Sequence, residues 1–313
     1  MTDLVALSRE RIEKGSKSFA GAARLFPEAT RGSAYMLYAW CRHCDDEIDG
    51  QVLGYARAEP SAKTPAQRLD ELRDKTLSAL AGRASEPVFQ ALQQVVQQHR
   101  IPHLHPMELL DGMEMDVVGR PYRVLDDTLS YSYHVAGVVG VMMAMIMGVS
   151  DRATLERASD LGIAFQLTNI ARDIVPDAGV DRVYLPDEWL RDAGIPADKV
   201  GDKAHRAAVF AATQRLLDVA DEYYASAQAG IPHLAFRSAW SIAAARRVYR
   251  GIGTVVRERG VNAWDTRAGT TKSRKIIDVT IAGLEAASAR TVGRIARVTP
   301  RPASLWTPAS LGL

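Results

Sequence analysis

Two short acidic stretches have the residue types and the spacing of a divalent-cation site, and each follows an otherwise apolar, helix-like segment. The first stretch is 45–49 and the second is 169–177. On a helix, residues four apart lie on one face, with Cβ atoms roughly 5–6 Å apart. Asp45 and Asp49 therefore share a face. Asn169, Asp173 and Asp177 form a second oxygen-bearing row if the helix continues that far.

These two rows predict a site for a metal ion together with a diphosphate. Hard divalent cations prefer oxygen ligands, and Mg²⁺ is usually held by one or two carboxylates together with substrate phosphates. Mn²⁺ is the alternative ion. A single acidic run is more often a solvated helix end, but two runs on apolar helices, one with Asn and Arg in register, are harder to obtain by chance.

A polar stripe on the first of these helices favours the wall of a cavity. Residues 28–48 are rich in apolar side chains, yet Tyr38, Arg42, Asp45 and Asp49 follow one another at steps of four, three and four. Such spacing places them on one side of a helix. A stripe that faces bulk water is the other interpretation.

Two further segments offer groups to a phosphate-bearing substrate. Ser16, Lys17 and Ser18 provide two hydroxyls and a cation, although composition alone favours a solvated helical turn. The polar segment that follows the second row is a candidate flap, within which Arg182 and Tyr184 are placed to reach a substrate.

Capping residues and apolar periodicity predict the helices that hold these groups. Thr64 and Pro65 suit the start of a helix, and Asp151 caps the helix that contains the second row. Pro176 lacks a backbone N–H, so that helix is expected to kink or end there. Strand-like alternation is missing, so we expect an all-α fold, with one domain over 1–297 and a Pro-containing tail over 298–313. The other predicted helices span 4–24, 28–48, 64–80, 86–99, 106–117, 126–147, 203–229, 236–258 and 271–296.

The segment 131–147 is apolar on nearly every face and rich in methionine, an adaptable apolar side chain. It suits either the lining of a pocket for a long hydrocarbon or a central core helix, and the sequence leaves both open. Gly137 and Gly140 within it allow another group to approach the backbone closely.

Composition and charge exclude several classes of protein. The chain has 313 residues, of which 47% are hydrophobic, and its 39 basic and 37 acidic residues give a net charge of +2, which offers no case for nucleic-acid binding. Cys41 and Cys44 are the only cysteines. They have the Cys-x-x-Cys spacing of redox and zinc sites, but they lie in the middle of a predicted helix and no second cysteine pair is present to complete a zinc site. Both are therefore interpreted as ordinary helix residues in a reducing compartment.

The expected location is cytoplasmic, with peripheral contact to the cytoplasmic membrane face. The N-terminus lacks the apolar run of a signal peptide, and no stretch reaches the roughly 20 apolar residues of a membrane span; the nearest is 135–149. There is no Gly-x-Gly-x-x-Gly sequence, so no nicotinamide cofactor is expected.

Taken together, these motifs resemble the squalene/phytoene synthase family across nearly the whole chain. The resemblance implies an all-α, isoprenoid-synthase-type helical bundle around a central cavity. It also implies head-to-head condensation of two geranylgeranyl diphosphates through prephytoene diphosphate, with release of two diphosphates, to give phytoene for downstream carotenoid enzymes. The matching segments are 15–19, 38–49, 131–140, 166–177 and 181–186.

The resemblance also assigns roles to individual residues. Metal ligation falls to both acidic rows, and Phe19 and Tyr131 are expected near the reacting carbons. Tyr131 and the four aspartates of the rows form the expected catalytic set. The residues expected to contact the diphosphates or the chains are Gly15, Ser16, Lys17, Ser18, Phe19, Tyr38, Arg42, Gln166, Arg172, Tyr184, Tyr249 and Arg267.

Three alternatives remain at this stage. Dehydrosqualene synthase and squalene synthase use the shorter farnesyl diphosphate, and pocket depth, which separates these activities, is not readable from one sequence. A non-catalytic helical scaffold protein of the same family is an alternative of another class. All five metal ligands implied by the resemblance are present, which favours an active enzyme.

Overall fold

The computed structural model of the chain describes residues 3–15, 21–52, 56–57, 62–293 and 300–308. Its helical architecture confirms the all-α prediction; the described residues contain one small sheet, in which β1 (Gln51–Val52) and β2 (Ala56–Arg57) pair antiparallel. The helices are α1 (Leu4–Gly15), α2 (Glu28–Asp49), α3 (Pro65–Leu80), α4 (Pro87–His99), α5 (Leu104–Val117), α6 (Leu125–Ser132), α7 (Val138–Ile146), α8 (Arg152–Ala178), α9 (Asp187–Asp192), α10 (Arg206–Gln228), α11 (Phe236–Arg259) and α12 (Lys272–Gly293).

The helix starts that were predicted from capping residues are confirmed. Thr64 forms a capping box with Gln67: the Gln67 backbone N–H donates to the Thr64 hydroxyl at 3.2 Å, and the Thr64 N–H donates to the Gln67 amide oxygen at 2.9 Å. At the start of α8, the Asp151 carboxylate accepts the backbone N–H of Thr154 at 2.9 Å. Each contact satisfies a donor that the first turn of a helix leaves without a partner.

Helix α2 holds the first acidic row, as predicted. Leu37, Trp40 and Cys44 on its inner face are fully buried. The helix ends at Gly50, which adopts a φ of 62°. Glycine accepts this left-handed conformation without the steric cost of a Cβ atom.

The apolar segment predicted over 126–147 starts at Leu125 and reaches Ile146 through a π-helical turn at Tyr133–Gly137. This 22-residue helix is long and apolar enough to cross a membrane by length and composition alone. We expected no stretch long enough to span a membrane, because that expectation considered only the shorter apolar run over 135–149. Within the protein the helix behaves as a core helix, since 61% of its most apolar window is buried.

Helices α7 and α8 cross with their backbones in contact. A Cβ atom on Gly140 would lie 2.3 Å from the carbonyl oxygen of Ala158, and one on Gly162 would lie 2.2 Å from that of Ala136. The close approach expected at Gly140 is therefore made by α8. The matching role of Gly162 was not predicted, because a single glycine within a helix has no local signature.

Helix α8 does not end at Pro176, one of the two outcomes expected from the sequence, but at Ala178. Asp177 therefore stays on the helix, in register with Asn169 and Asp173. Proline removes one backbone N–H donor from a helix, but Pro176 lies so close to the C-terminal end of α8 that only the last turn is affected. The Gly179 N–H closes that turn by donating to the Val175 carbonyl at 3.1 Å.

The segment 300–308 docks on α8 through a buried ion pair. Arg301 donates to both carboxylate oxygens of Asp160 at 2.7–3.0 Å and to the carbonyl of Trp306 at 2.8 Å. Asp160 is fully buried. A buried carboxylate of this kind needs its partner, since removing one member of a buried pair typically costs about 3–5 kcal/mol.

Replacing Gly162 by alanine is expected to destabilise the protein, because the new methyl group meets backbone atoms of Ala136 and Gly137 that have no freedom to move aside. Overpacking of this kind costs about 1–3 kcal/mol. Urea denaturation of the purified variant measures the change in the free energy of unfolding. Gly269→Ala is the control, since nothing lies within 4 Å of a Cβ atom there. Equal stability of both variants would contradict the backbone contact.

Candidate active site

An apolar cavity of about 450 Å³ lies between α2, α7, α8 and α11. Val139, Met143 and Met147 line it from the central helix, whereas Val141 and Met142 on the same helix are fully buried. One face of the methionine-rich segment therefore lines an apolar cavity, and another face lies in the core. The polar side chains of the cavity wall are Tyr38, Asp45, Thr154, Arg157, Gln166, Asn169, Ser241, Tyr249 and Lys275.

One carboxylate of the first acidic row, Asp45, lines this cavity, and both carboxylates of the row are paired with arginines. Arg42 lies 3.4 Å from Asp45 and 3.1 Å from Asp46, one turn along α2. Arg182, in the loop after α8, donates to Asp49 at 2.7 Å. Desolvation by the surrounding protein raises the pKa of Asp45, Arg42 opposes the rise, and the charge of Asp49 adds to it.

The second row is split between one fully paired carboxylate and one that is crowded by other negative charges. Arg172 donates to Asp173 in a fork, and Arg267 donates to it at 3.2 and 3.3 Å. Burial raises the pKa of Asp173, but these arginines outweigh burial and hold it below its ordinary value. Burial and the charge of Asp173 raise the pKa of Asp177, although Arg182 opposes them.

Asp116, on α5, lies close to both rows and was not predicted. Burial raises the pKa of Asp116 and the charge of Asp49 raises it further, while the charge of Asp116 adds to the raised pKa values of Asp45 and Asp177. Arg182 joins the two rows: its side chain donates to Asp49 at 2.7 Å, and its backbone N–H donates to the carbonyl of Asp177 at 3.0 Å. The available signal for Asp116 was an acidic residue in the last turn of a largely buried helix.

A cluster of tyrosines surrounds Asp116. The hydroxyls of Tyr131 and Tyr184 each donate to its carboxylate at 2.9 Å. Their rings stack with centroids 4.7 Å apart, and the ring of Tyr122 packs against both. Tyr131 was expected near the reacting carbons; the structure places it on Asp116 beside the apolar cavity, and its side chain is not among those that line the cavity wall.

The residues present fit a hard cation in their chemistry. In the described part of the chain, no three His, Cys, Asp or Glu side chains converge closely enough to form a metal site as they stand, and arginines contact Asp49 and Asp173 instead. However, carboxylates that raise one another's pKa form a repulsive group, and a divalent cation relieves such repulsion with the oxygen ligands it prefers.

The remaining predicted residues lie in different parts of the molecule. Tyr38, Gln166 and Tyr249 line the cavity, and Arg42, Arg172 and Arg267 pair with the acidic rows. Gly15 ends α1. Burial raises the pKa of both the Cys41 and Cys44 thiols, as suits ordinary helix residues. Ser16, Lys17, Ser18 and Phe19 lie outside the described residues.

Fold and site define an all-α protein with two acidic helices and several arginines beside an apolar cavity. The chain belongs to the squalene/phytoene synthase family, whose model matches residues 12–274, and this confirms the resemblance found in the sequence. A "15-cis-phytoene synthase" from Enterobacter agglomerans is 51% identical over 296 residues, which cover 94% of this chain and 99% of that protein. A "phytoene synthase" from Pseudescherichia vulneris is 50% identical over 95% of both chains.

The fold is also found among solved structures. The crystal structure of a dehydrosqualene synthase in complex with a ligand superposes with a TM-score of 0.80 at 26% identity, covering 91% of this chain and 97% of that chain. A squalene synthase from Alicyclobacillus acidocaldarius gives a TM-score of 0.73 at 22% identity, covering 82% of this chain and 94% of that chain. The second likeness concerns the fold alone.

Asp116→Ala is expected to leave the hydroxyls of Tyr131 and Tyr184 without their acceptor and to lower the free energy of unfolding by about 1–3 kcal/mol. Asp116→Asn keeps one acceptor oxygen and is expected to recover most of this stability. Chemical denaturation measures both. Asp111→Ala on the same helix removes a partly exposed ion pair and is the control, with an expected change within about 1 kcal/mol. A wild-type stability for Asp116→Ala would refute the role of Asp116 as an anchor.

Proposed function

We propose that this chain catalyses the head-to-head condensation of two geranylgeranyl diphosphates to phytoene, through prephytoene diphosphate and with release of two diphosphates. The observation that supports this most directly is the identity of about half of all positions, over nearly the full length, with bacterial proteins named 15-cis-phytoene synthase. The alternatives that use farnesyl diphosphate, and the scaffold protein, are not favoured by these relatives.

The charged residues suit the departure of diphosphate, the difficult step in such a condensation. Diphosphate leaves readily only when its charge is neutralised, and electrostatic stabilisation of this kind usually contributes most to catalysis. Arg172, Arg182 and Arg267 hold the carboxylates in this structure, and we propose that they exchange to the diphosphates when substrate binds. Mg²⁺, held by Asp45, Asp49, Asn169, Asp173 and Asp177, would supply further neutralisation of the leaving group.

The cavity suits the apolar part of the reaction. An allylic cation must be kept from water until it reacts, which requires a dry pocket. Aliphatic and methionine side chains form most of the wall, and the aromatic rings of Phe165 and Tyr249 stack there with centroids 4.3 Å apart. A ring face also stabilises a nearby cation. No reducing cofactor is needed to reach phytoene.

Product analysis tests the proposed reaction. The purified chain is incubated with Mg²⁺ and either geranylgeranyl or farnesyl diphosphate, without reduced nicotinamide, and the extracted hydrocarbon is identified. Phytoene from the longer substrate is the expected result. If dehydrosqualene forms, and only from farnesyl diphosphate, the proposed substrate chain length is wrong. If the protein is folded but gives no hydrocarbon from either substrate, the scaffold protein is favoured.

Asp45→Asn and Asp173→Asn are each expected to lower turnover on the order of 100-fold or more, because each removes a charge that the metal and the arginines both need. EDTA is expected to abolish activity and Mg²⁺ to restore it. Glu47→Gln is the control, since Glu47 lies on α2 but belongs to neither acidic row, and its ion-pair partner is His43, at 4.0 Å, and not an arginine. Wild-type turnover in either aspartate variant would disprove the proposed metal ligands.

We also propose that α12 contacts the membrane. Its outward side chains Ile276 and Leu284 are each 68% exposed, and Ile277 is 51% exposed. Lys272 and Arg274, in the first turn, are also exposed and suit an anionic lipid surface. The opposite side of the same helix lines the apolar cavity through Lys275 and Val279, so a greasy substrate or product would have a short path to the bilayer.

The double variant Ile276→Glu, Leu284→Glu is expected to bind vesicles of phosphatidylglycerol and phosphatidylcholine on the order of tenfold more weakly than the wild type, because it loses the apolar area buried in the lipid. Vesicle flotation measures the bound fraction. Leu77→Glu, at another exposed leucine, is the matched control and should bind like the wild type. Equal flotation of all three proteins would disprove docking through α12.

A further inference from the structure

A second cavity, of about 300 Å³, lies on the other side of α11, where that helix packs against α10 and α12. Four arginines of α11 reach it at helical spacing, and the first turn of α12 adds a fifth. Volumes near 300 Å³ are those of small ligand pockets. The side chains that give this cavity its polar wall are Arg246, Arg247, Arg250, Arg257, Arg274, Asp221 and Asp278.

The acidic groups around this cavity are already shared between arginines. Asp221, on α10, lies 2.7 Å from Arg250 and 3.3 Å from Arg257. Asp278, on α12, lies 3.4 Å from Arg247 and 3.5 Å from Arg274. With Asp218 and Glu285 included, the described residues provide four carboxylates for five guanidinium groups, so the cluster retains one uncompensated positive charge.

The least accessible arginine of the cluster, Arg246, also has the most distant carboxylate partner. Arg246 is 5% exposed, and its Nε atom has no hydrogen-bond acceptor among the described residues. Its Nη2 atom is 3.8 Å from Oε2 of Glu285, beyond hydrogen-bond distance, whereas Arg247 lies 2.6 Å from Oε1 of the same carboxylate. Burial lowers the pKa of Arg246, the charge of Glu285 opposes this, and the charges of Arg250 and Arg247 lower it further. A guanidinium group so placed is costly unless an anion completes it.

The second cavity is separate from the first. Tyr249 of α11 lines the apolar cavity, while its neighbour Arg250 lines the arginine cavity. Thr168 and Tyr224, whose hydroxyls hydrogen-bond at 2.9 Å, belong to the wall of the arginine cavity together with Leu217 and Gly253, and none of these four residues lines the apolar cavity. An anion bound among the arginines therefore occupies a different site from a diphosphate at the acidic rows.

We propose that the arginine cavity binds a small phosphate anion, either inorganic diphosphate or a phosphate monoester. Guanidinium groups match phosphate oxygens in a two-pronged, charge-assisted geometry. Arg246 gains an acceptor, and the excess positive charge of the cluster is neutralised. Because the anion bridges α11 to α10 and α12, it stabilises the helix that also forms a wall of the apolar cavity.

Isothermal titration calorimetry in the presence of EDTA and without substrate tests the proposal, with inorganic diphosphate, inorganic phosphate and adenosine 5′-monophosphate as separate probes. Arg182→Met changes an arginine at the acidic rows and is expected to bind these probes in the arginine cavity as tightly as the wild type. Arg246→Met is expected to weaken binding on the order of tenfold or more, the loss of one charge-assisted contact. Arg250→Met, at a more exposed position, serves if Arg246→Met does not fold.

A charge placed in the cavity provides the control. Thr254→Glu supplies a tethered carboxylate among Arg250 and Arg257, whereas Thr254→Gln has the same length without the charge. The diphosphate-dependent rise in melting temperature should disappear in Thr254→Glu and remain in Thr254→Gln. Tighter binding of diphosphate supports feedback by a released product, and tighter binding of the monophosphate supports a phosphorylated metabolite. Equal affinity of the wild type, Arg246→Met, Arg250→Met and Thr254→Glu for every probe would overturn the site.

Discussion

The constraint on which the rest of the structure depends is the grouping of several carboxylates beside an apolar cavity. Desolvation raises the pKa values of Asp45 and Asp177, and repulsion from neighbouring carboxylates raises them further. Arginines from separate parts of the chain offset it: Arg42 within α2, Arg182 in the loop after α8, and Arg267 in the turn before α12. The segments that provide these arginines are thereby held to the site by charge as well as by packing.

The close crossing of α7 and α8 fixes where the second row stands. Gly140 and Gly162 bring the two backbones together, so neither helix can rotate without a clash. Along the same helix, Gln166 and Asn169 then face the cavity, and Asp177 lies two turns further on. The apolar wall and the polar groups of the site are therefore positioned by one packing contact.

The parts of the site that were readable from the sequence are those that depend on spacing within one helix. Asp45 and Asp49 are four residues apart, and Asp151 caps the helix of the second row, so both could be predicted locally. The pairing of Arg182 with Asp49 joins residues 133 positions apart and has no local signature. Asp116 lies in a buried helix without a flanking motif, and its role follows from the tyrosines that meet it only in the folded chain.

Helix α11 has the unusual position of separating two cavities of opposite character. Its periodicity presents Ala245 and Tyr249 to the apolar cavity and Arg246 and Arg250 to the arginine cavity. A ligand changes the behaviour of a distant site only if it binds one arrangement of the intervening structure more tightly than another. An anion among the arginines would therefore influence the apolar cavity by fixing the position of α11 between α10 and α12. It would make no direct contact with the carboxylates of the two acidic rows.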